Sequence, residues 1–286
     1  MLQQEKNGAV TLGIFQGRLT PSNGRGIQFF PFENWENEFP AARKLGLDEI
    51  EFIFDRERYR ENPLWSERGI ERINDLGQRY GVAVNHICAD FFMRQPFFRT
   101  TETLRRENIS VLKRLIEAAA AIGARNVEIP LVDNSSIKTE EEETVLVLSI
   151  SEILPAARAA GVTISLETDL PPGRFLAVIK RFNDPAIKAN YDTGNSASLG
   201  FDAEEEVTAL APYLGNIHIK DRKLNGGTVS LGSGNANFET FFRTLGNSGY
   251  RGSLILQAAR GEDGKETETA AGHIQFVRNY IEKYLV

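Results

Sequence analysis

The sequence is poor in the residues that build cross-linked or thiolate-rich sites. Among its 286 residues there is one cysteine, Cys88, and there are three histidines. A single cysteine excludes an internal disulfide framework and a cysteine-rich zinc module. We therefore expect Cys88 to be a small buried residue on a strand rather than a reactive thiol.

Long apolar runs and an excess of positive charge are also missing. No run of about 18 apolar residues occurs, and the start of the chain, Met1 to Ala9, is polar. The sequence thus predicts neither a membrane span nor a signal peptide, and we expect a cytoplasmic protein without a membrane partner. The formal net charge of −6 disfavours a nucleic-acid partner, because such surfaces need clustered lysine and arginine.

What the chain does have is an alternation of short apolar segments with longer amphipathic ones. The predicted strands are Thr11 to Phe15, Glu49 to Phe54, Val82 to Cys88, Asn126 to Pro130, Val162 to Glu167, Ala189 to Asp192, Asn216 to Lys220 and Ser253 to Gln257. The predicted helices are Trp35 to Leu45, Leu64 to Tyr80, Thr101 to Ile122, Glu140 to Ala160, Phe175 to Phe182, Ala203 to Leu214, Phe238 to Ser248 and Glu266 to Tyr284. Eight strand–helix pairs predict an α/β protein, a (β/α)8 TIM barrel formed as one domain by residues 1–286, with a doubly wound sheet as the alternative.

Four predicted strands in the second half end in side chains that bind metal ions. These residues, about 25 to 40 positions apart, are Glu167, Asp192, His218 and Gln257. If their strands are neighbours in one parallel barrel, the side chains meet at its carboxyl-terminal mouth, where such barrels keep their active sites. Carboxylates with an imidazole suit Mn2+, Co2+, Zn2+ or Mg2+. Each residue alone is as readily explained by a helix cap, a solvated loop or a core histidine, but together they predict a divalent-metal site.

Other polar residues lie within the predicted strands. Glu51 and Glu128 occur in otherwise apolar strands, where an unpaired ionised carboxylate is costly to bury, so each is expected to bind polar substrate or to pair with a basic residue. His86 is either a substrate contact or a packed polar residue. His273 follows a helical pattern and is expected at the surface.

Two loops offer groups that bind anions. Arg18 follows the first strand, and the glycine-rich Leu231 to Asn235 follows the seventh. A guanidinium binds a phosphate through paired hydrogen bonds, and a glycine-rich turn does so through backbone N–H groups. Lys220, Arg222 and Arg260 would add positive charge nearby, although a glycine-serine-glycine sequence is usually only a turn.

Four stretches of the chain carry a resemblance to a known family. They are Leu166-Glu167-Thr168-Asp169, Tyr191-Asp192-Thr193-Gly194-Asn195, His218-Ile219-Lys220-Asp221-Arg222 and Leu231-Gly232-Ser233-Gly234. With them the chain resembles the xylose isomerase-like barrels, which include sugar and sugar-phosphate isomerases and epimerases, hydroxypyruvate isomerase, inosose dehydratase and, more distantly, endonuclease IV. The resemblance implies that Glu167, Asp192 and His218 bind metal, that the substrate is a small sugar or sugar phosphate, and that the chain forms a homo-oligomer. Three histidines are too few for the histidine-rich three-metal cluster of endonuclease IV.

The chain departs from the family on the eighth strand. The well-studied epimerases carry there a glutamate that binds metal and moves a proton, and this chain has Gln257. An amide can bind a metal ion through its oxygen but cannot act as a base, and an epimerisation at C3 needs two proton carriers. Glu167 is the expected first carrier, and the second would be Lys220, His86 or Glu128.

The sequence therefore predicts a metal-dependent isomerase or epimerase that acts through an enediolate. In this mechanism Glu167 is the base and Lys220 neutralises developing charge, while Arg18, Arg222 and Arg260, with Glu51, His86 and Glu128, contact the substrate. The alternatives are a metal-dependent dehydratase of a polyol or inosose, and a sugar-binding or regulatory barrel without turnover.

Overall fold

The structure, a computed structural model, describes residues 10–285. The polar start Met1 to Ala9, from which the absence of a signal peptide was predicted, lies outside these residues. Within residues 10–285, no helix is both long enough and apolar enough to cross a membrane.

Eight strands form a closed parallel barrel, and two further strands form a small antiparallel pair. In chain order the strands are β1 Thr11–Phe15, β2 Glu49–Ile53, β3 His86–Cys88, β4 Asn126–Leu131, β5 Thr163–Thr168, β6 Ile187–Asp192, β7 Leu214–Ile219, β8 Asp221–Arg222, β9 Thr228–Val229 and β10 Ser253–Leu256. The barrel order is β1-β10-β7-β6-β5-β4-β3-β2, with β1 closing on β2, and β8 pairs with β9 outside it. The predicted TIM barrel is confirmed.

Helices surround the barrel and connect its strands. They are α1 Glu38–Lys44, α2 Glu67–Tyr80, α3 Phe91–Arg94, α4 Glu102–Ile122, α5 Glu140–Ser151, α6 Leu154–Ala160, α7 Pro172–Phe182, α8 Thr193–Leu199, α9 Ala203–Leu210, α10 Phe238–Asn247 and α11 Glu266–Tyr284. Their ends follow ordinary capping chemistry. The side chain of Thr101 accepts a hydrogen bond from the Leu104 N–H before α4, and Gly123 adopts a φ of 77° just after it.

The chain differs from the prediction where local chemistry interrupts an element. The helix predicted over Glu140 to Ala160 is two helices, because Pro155 has no N–H to donate to the carbonyl one turn earlier. The third strand begins at His86, four residues later than predicted, and only an isolated bridge joins Ala83 to Glu49 before it. The short helix α8 directly after β6 was not predicted.

The pairing of neighbouring strands shows how far along the barrel axis each inward-facing polar residue lies. Glu167 on β5 lies opposite Pro130 on β4, whereas Glu128 lies opposite Ser165, two residues deeper. On the next strands Asp192 lies opposite His218. Since strand side chains alternate, these residues share the interior, with Glu167 and Asp192 near the carboxyl-terminal mouth.

Two predictions for single residues have clear outcomes. Cys88 is buried, as predicted, and burial raises the pKa of its thiol. His273, predicted at the surface, is half-buried: its Nε2 atom is buried, and burial lowers the pKa of its imidazole.

Candidate active site at the carboxyl-terminal mouth

The structure brings together three of the four predicted metal ligands. One side-chain atom each of Glu167, Asp192 and His218 lies within 4.8 Å of the other two. All three side chains are buried. They come from β5, β6 and β7, three adjacent strands of the barrel, so the backbone fixes their proximity.

His218 lies between two carboxylates. Its Nε2 is 2.7 Å from Glu51 Oε2, and its Nδ1 is 3.1 Å from Glu167 Oε2. Burial alone would lower the pKa of His218, but the charges and hydrogen bonds of Glu51 and Glu167 raise it well above its ordinary value. A carboxylate on one ring nitrogen is the usual way to orient a histidine whose other nitrogen binds metal. Glu51 thus occupies the orienting position, and Nδ1 faces Glu167.

Two asparagine amides hold the carboxylate of Glu167. Asn190 Nδ2 donates to its Oε2 at 2.8 Å, and Asn195 Nδ2 donates to its Oε1 at 2.6 Å. The oxygen of Asn195 in turn accepts from Arg222 Nη1 at 2.9 Å. These contacts hold the Glu167 carboxylate in place. Asn195 also links it to Arg222.

Asp192 has two separate roles in the structure. Its Oδ1 caps α8 by accepting from the N–H groups of Gly194 and Asn195, each at 2.8 Å. Its Oδ2 lies 3.4 Å from Lys220 Nζ. A Cβ atom at Gly194 would lie 2.7 Å from Lys220 Cγ, so the close approach of α8 to Lys220 requires glycine there.

Lys220 also connects the cluster to the fourth predicted ligand. Its Nζ donates to Gln257 Oε1 at 3.0 Å. Gln257 directly follows β10 and is buried. Its amide oxygen and the Asp192 carboxylate therefore contact the same ammonium group, that of Lys220. The Lys220 ammonium therefore lies between Asp192 and Gln257, next to the group formed by Glu167, Asp192 and His218.

Glu128 is a buried carboxylate without a conventional partner. Neither of its oxygens has a hydrogen-bond partner, although it forms a second group with Glu51 and His218 within 4.8 Å. Burial and the charge of Glu167 raise its pKa well above the ordinary range, while His218 acts in the opposite sense. Buried polar atoms without partners are rare and usually have a functional explanation.

The chemistry of the site fits a cation. Four of the six buried side-chain atoms without a partner within residues 10–285 are acceptor oxygens in the barrel interior, and they belong to Glu128, Asn190 and Asn216. Such buried acceptor oxygens could be satisfied by a bound cation. Two carboxylates, an imidazole and an amide oxygen form a donor set that hard and borderline divalent ions accept.

The predicted substrate-binding arginines of the flanking loops contact backbone carbonyls. Arg18 Nε donates to Ala258 O at 3.0 Å, and its side chain is buried. Arg260 donates to the carbonyls of Gly17 and Thr20. Both guanidiniums hold the β1 loop against the segment after β10, outside the cluster formed by Glu167, Asp192 and His218.

His86 lies at the opposite end of the barrel. Its Nε2 is 2.8 Å from Ser253 Oγ, at the first residue of β10, and its Nδ1 is 3.3 Å from Nδ2 of Asn126, at the first residue of β4. The structure therefore does not bring His86 together with Glu167.

The glycine-rich loop after β9 has its backbone donors occupied. The N–H groups of Gly232 and Gly234 donate to Asp221 Oδ2 at 3.0 and 2.7 Å, and the N–H of Ala236 donates to Asp221 Oδ1 at 3.0 Å. The expected anion site is thus filled by a carboxylate of the chain itself.

The sequence reasoning did not identify three residues at the mouth: Asn195, Gln28 and Asp90. Asn195 stands in the Asp192-Thr193-Gly194-Asn195 stretch, and its spacing from a helix-capping aspartate would have placed it near Glu167. Asp90 lies two residues after the end of β3, in the loop region where barrels carry functional residues. Gln28 lies in a long loop, and no sequence pattern marks it.

The chain is similar to known proteins over most of its length. The family model for xylose isomerase-like TIM barrels matches residues 39–280. L-ribulose-5-phosphate 3-epimerase UlaE of Escherichia coli O1:K1 / APEC is 26% identical over 257 residues, which cover 87% of each chain. The putative L-ribulose-5-phosphate 3-epimerase SgbU of Haemophilus influenzae is 22% identical over 238 residues, covering 78% of this chain and 83% of that protein.

Solved structures show the same fold at lower sequence identity. A structure of L-ribulose 3-epimerase superposes with a TM-score of 0.76 at 18% identity, covering 96% of this chain and 95% of that one. The IolI protein, solved with a bound zinc atom, gives a TM-score of 0.77 at 18% identity, covering 96% and 99%. Together with the match over residues 39–280, the barrel establishes that the chain belongs to the xylose isomerase-like TIM barrel family.

Proposed function

We propose that this protein is a divalent-metal-dependent isomerase or epimerase of a sugar or sugar phosphate that acts through an enediolate. The observation that carries the proposal is the group of Glu167, Asp192 and His218 ligand atoms at the barrel mouth. The names of relatives over most of the chain support the substrate class, since they act on L-ribulose 5-phosphate. A structural neighbour, a D-psicose 3-epimerase solved with D-tagatose, acts on another ketose.

Glu167, Asp192 and His218 would hold the metal ion, and the amide oxygen of Gln257 would add a neutral ligand. Mn2+, Co2+, Zn2+ and Mg2+ all suit this set, and the zinc in the IolI structure supports a divalent ion. When bound, such an ion acts as a Lewis acid on a carbonyl and its neighbouring hydroxyl.

Glu167 is the proposed base. It takes the proton from the carbon next to the substrate carbonyl, which leaves an enediolate, and the amides of Asn190 and Asn195 hold its carboxylate in place. Return of the proton to the former carbonyl carbon, together with transfer of the neighbouring hydroxyl proton to the former carbonyl oxygen, gives the isomer. Addition of a proton to the other face of the original carbon gives the epimer. The effectiveness of such a base depends on its position relative to the proton.

Lys220 is proposed to offset the negative charge that develops on the substrate oxygen. Its ammonium lies 3.0 Å from Gln257 and 3.4 Å from Asp192, so it is already held at the cluster. Arg222 is the proposed contact for a distal hydroxyl or phosphate, because it bonds to Asn195 beside Glu167.

Solvent-hydrogen exchange tests the proposal. The protein is stripped with a chelator, reloaded separately with Mn2+, Co2+, Zn2+ or Mg2+, and incubated in D2O with L-ribulose 5-phosphate, D-fructose, D-psicose and D-tagatose. We expect metal-dependent deuterium uptake at a carbon next to the carbonyl, followed by NMR. Glu167→Gln should lower this rate at least about a hundredfold, while Glu49→Gln, at the other barrel end, should leave it unchanged.

The alternatives give different results in the same assay. A dehydratase would release water from the substrate and form a product of lower mass. A sugar-binding barrel would show a metal-dependent and sugar-dependent rise in melting temperature with no exchange. Full activity of Glu167→Gln would contradict its assignment as the base.

A further inference from the structure

A continuous chain of hydrogen bonds crosses the mouth of the barrel. Gln28 Nε2 donates to Asp90 Oδ1 at 2.9 Å, and Gln257 Nε2 donates to Gln28 Oε1 at 3.2 Å. From Gln257 the chain continues to Lys220 and Asp192. The side chain of Gln28 thus links Asp90 to Gln257, the residue at which the family's epimerases carry a glutamate.

Asp90 is a buried carboxylate in the short connection between β3 and α3, two residues after the strand. Its side chain is 3% exposed, and Gln28 is the only side chain within residues 10–285 that donates to it. The charged groups around it are Asp55, Arg94, Arg18 and Glu167. Burial and then the charge of Asp55 raise the pKa of Asp90 to about 7, a value suited to a group that both accepts and donates a proton near neutrality.

The other residues considered for the second proton transfer are poorly placed for it. His86 lies at the amino-terminal end of the barrel, and Glu128 lies two residues deeper than the level of Glu167. Lys220 already contacts Asp192 and Gln257. Gln257 itself has no proton to exchange as an acid or base.

We propose that Asp90 is the second proton carrier of an epimerisation, opposite in role to Glu167 and positioned by Gln28. This inference rests on the proposed function. Glu167 is the penultimate residue of β5, and Asp90 lies two residues after the end of β3. Only β4 separates these two strands, so both carboxylates lie on the carboxyl-terminal side of the same part of the barrel.

The proton balance of the cycle is closed. Glu167 removes the proton from the substrate carbon, and the electron pair of the broken C–H bond enters the enediolate. The carboxylic acid of Asp90 then gives its proton to the other face of the same carbon. Glu167 ends protonated and Asp90 ionised, and exchange with water, or reaction in the reverse direction, restores both.

Stereochemistry of exchange tests Asp90 separately from the rest of the site. Each member of the pairs L-ribulose 5-phosphate and L-xylulose 5-phosphate, and D-fructose and D-psicose, is incubated in D2O with the metal-loaded protein. The wild type should exchange both members of one pair and interconvert them. Asp90→Asn should still exchange the epimer whose proton faces Glu167, should lose exchange of the other epimer, and should epimerise at least about a hundredfold more slowly.

The controls separate the possible failures. Asp55→Asn removes the neighbouring buried charge that raises the pKa of Asp90 without touching Gln28, so it should retain exchange of both epimers while the pH profile of the Asp90-dependent exchange shifts to lower pH. Asp90→Ser carries the same test if Asp90→Asn does not fold. Unchanged epimerisation in the Asp90 variants, or equal loss of both exchange reactions in a folded variant, would overturn the inference, whereas absence of exchange in the wild type would overturn the proposed function.

A rescue experiment sharpens the assignment. If Asp90 acts where the epimerases use the glutamate of the eighth strand, Gln257→Glu added to Asp90→Asn should restore part of the lost epimerisation. Gln257→Glu together with Glu167→Gln should restore none.

Discussion

The two ends of the barrel interior each contain a buried histidine and a buried glutamate, but their polar networks differ. At the amino-terminal end, Glu49 accepts from Thr11 Oγ1 at 2.7 Å and from Asn85 Nδ2 at 2.9 Å. His86 contacts Ser253 and Asn126, and Thr11 and Ser253 are 3.0 Å apart. Within residues 10–285, none of the side chains of this end appears among the buried polar groups without a partner.

The carboxyl-terminal half has a surplus of acceptors. Glu51 and Glu167 flank His218, both oxygens of Glu128 lack partners, and so do the oxygens of Asn190 and Asn216. A satisfied network rigidifies the fold, whereas an incomplete one is costly unless a ligand completes it. Within residues 10–285, the polar side chains of the amino-terminal end thus bond to one another, whereas the mouth has buried acceptors that a ligand could use.

Matched substitutions of the two histidines are expected to give the largest difference between the ends. His218→Gln removes the imidazole between Glu51 and Glu167, so metal-dependent exchange should fall at least about a hundredfold. His86→Gln should leave exchange unchanged and lower the free energy of unfolding by about 1 kcal/mol, because a buried hydrogen-bond network is weakened. Exchange assays and urea unfolding of both variants check this. A strong loss of exchange in His86→Gln would show that the amino-terminal end takes part in the reaction.

Matched substitutions of two buried glutamates should change stability in opposite directions. Glu49→Gln places an amide group against donors and should destabilise the metal-free protein by about 1–3 kcal/mol. Glu128→Gln removes a carboxylate without partners and should stabilise the metal-free protein at pH 8 by about 1 kcal/mol or more. Urea unfolding in the presence of a chelator measures both, and a change of the same sign in both variants would contradict the contrast.

The pH dependence of the same variant follows from the raised pKa of Glu128. As pH rises above the ordinary glutamate value of about 4.5, the unfolded chain loses this proton before the folded protein does, so stability falls with increasing pH. When the pH is lowered from 8 to 6, the free energy of unfolding of the wild type should therefore increase, and that of Glu128→Gln should increase less. An identical pH dependence would show that Glu128 titrates normally.

The smallest expected effect is that of Thr11→Val in the amino-terminal network. The substitution removes the hydroxyl that contacts Glu49 and Ser253, and it should lower the free energy of unfolding by about 1 kcal/mol, a shift of a few °C in melting temperature. Exchange activity should not change. A loss of activity without a loss of stability would mean that this end is not merely structural.

The sequence predicted the fold and the proximity of Glu167, Asp192 and His218 for the same physical reason. Parallel strands separated by helices must end on one face, so Glu167, Asp192 and His218 at strand ends had to approach one another. The single domain predicted over residues 1–286 stays a prediction.

The remaining residues depend on information that strand alternation does not contain. His86 lies at the opposite end because β3 begins there, which the apolar segment from Val82 did not reveal. The arginine side chains Arg18 and Arg260 are long, and their contacts with loop carbonyls depend on tertiary structure. Asp221 stands in the same stretch of sequence as His218, but its carboxylate accepts hydrogen bonds from the glycine-rich loop instead of joining the site. Gln28 and Asp90 meet only because the β1 loop crosses the mouth.

The most direct test of the account is the position of a bound ion. Crystals grown with Mn2+ and measured at a wavelength at which manganese scatters anomalously would locate it without reference to activity. The account predicts an anomalous peak among Glu167, Asp192 and His218 at the mouth. A peak beside Glu49 and His86, or no peak at either end at saturating Mn2+, would contradict it.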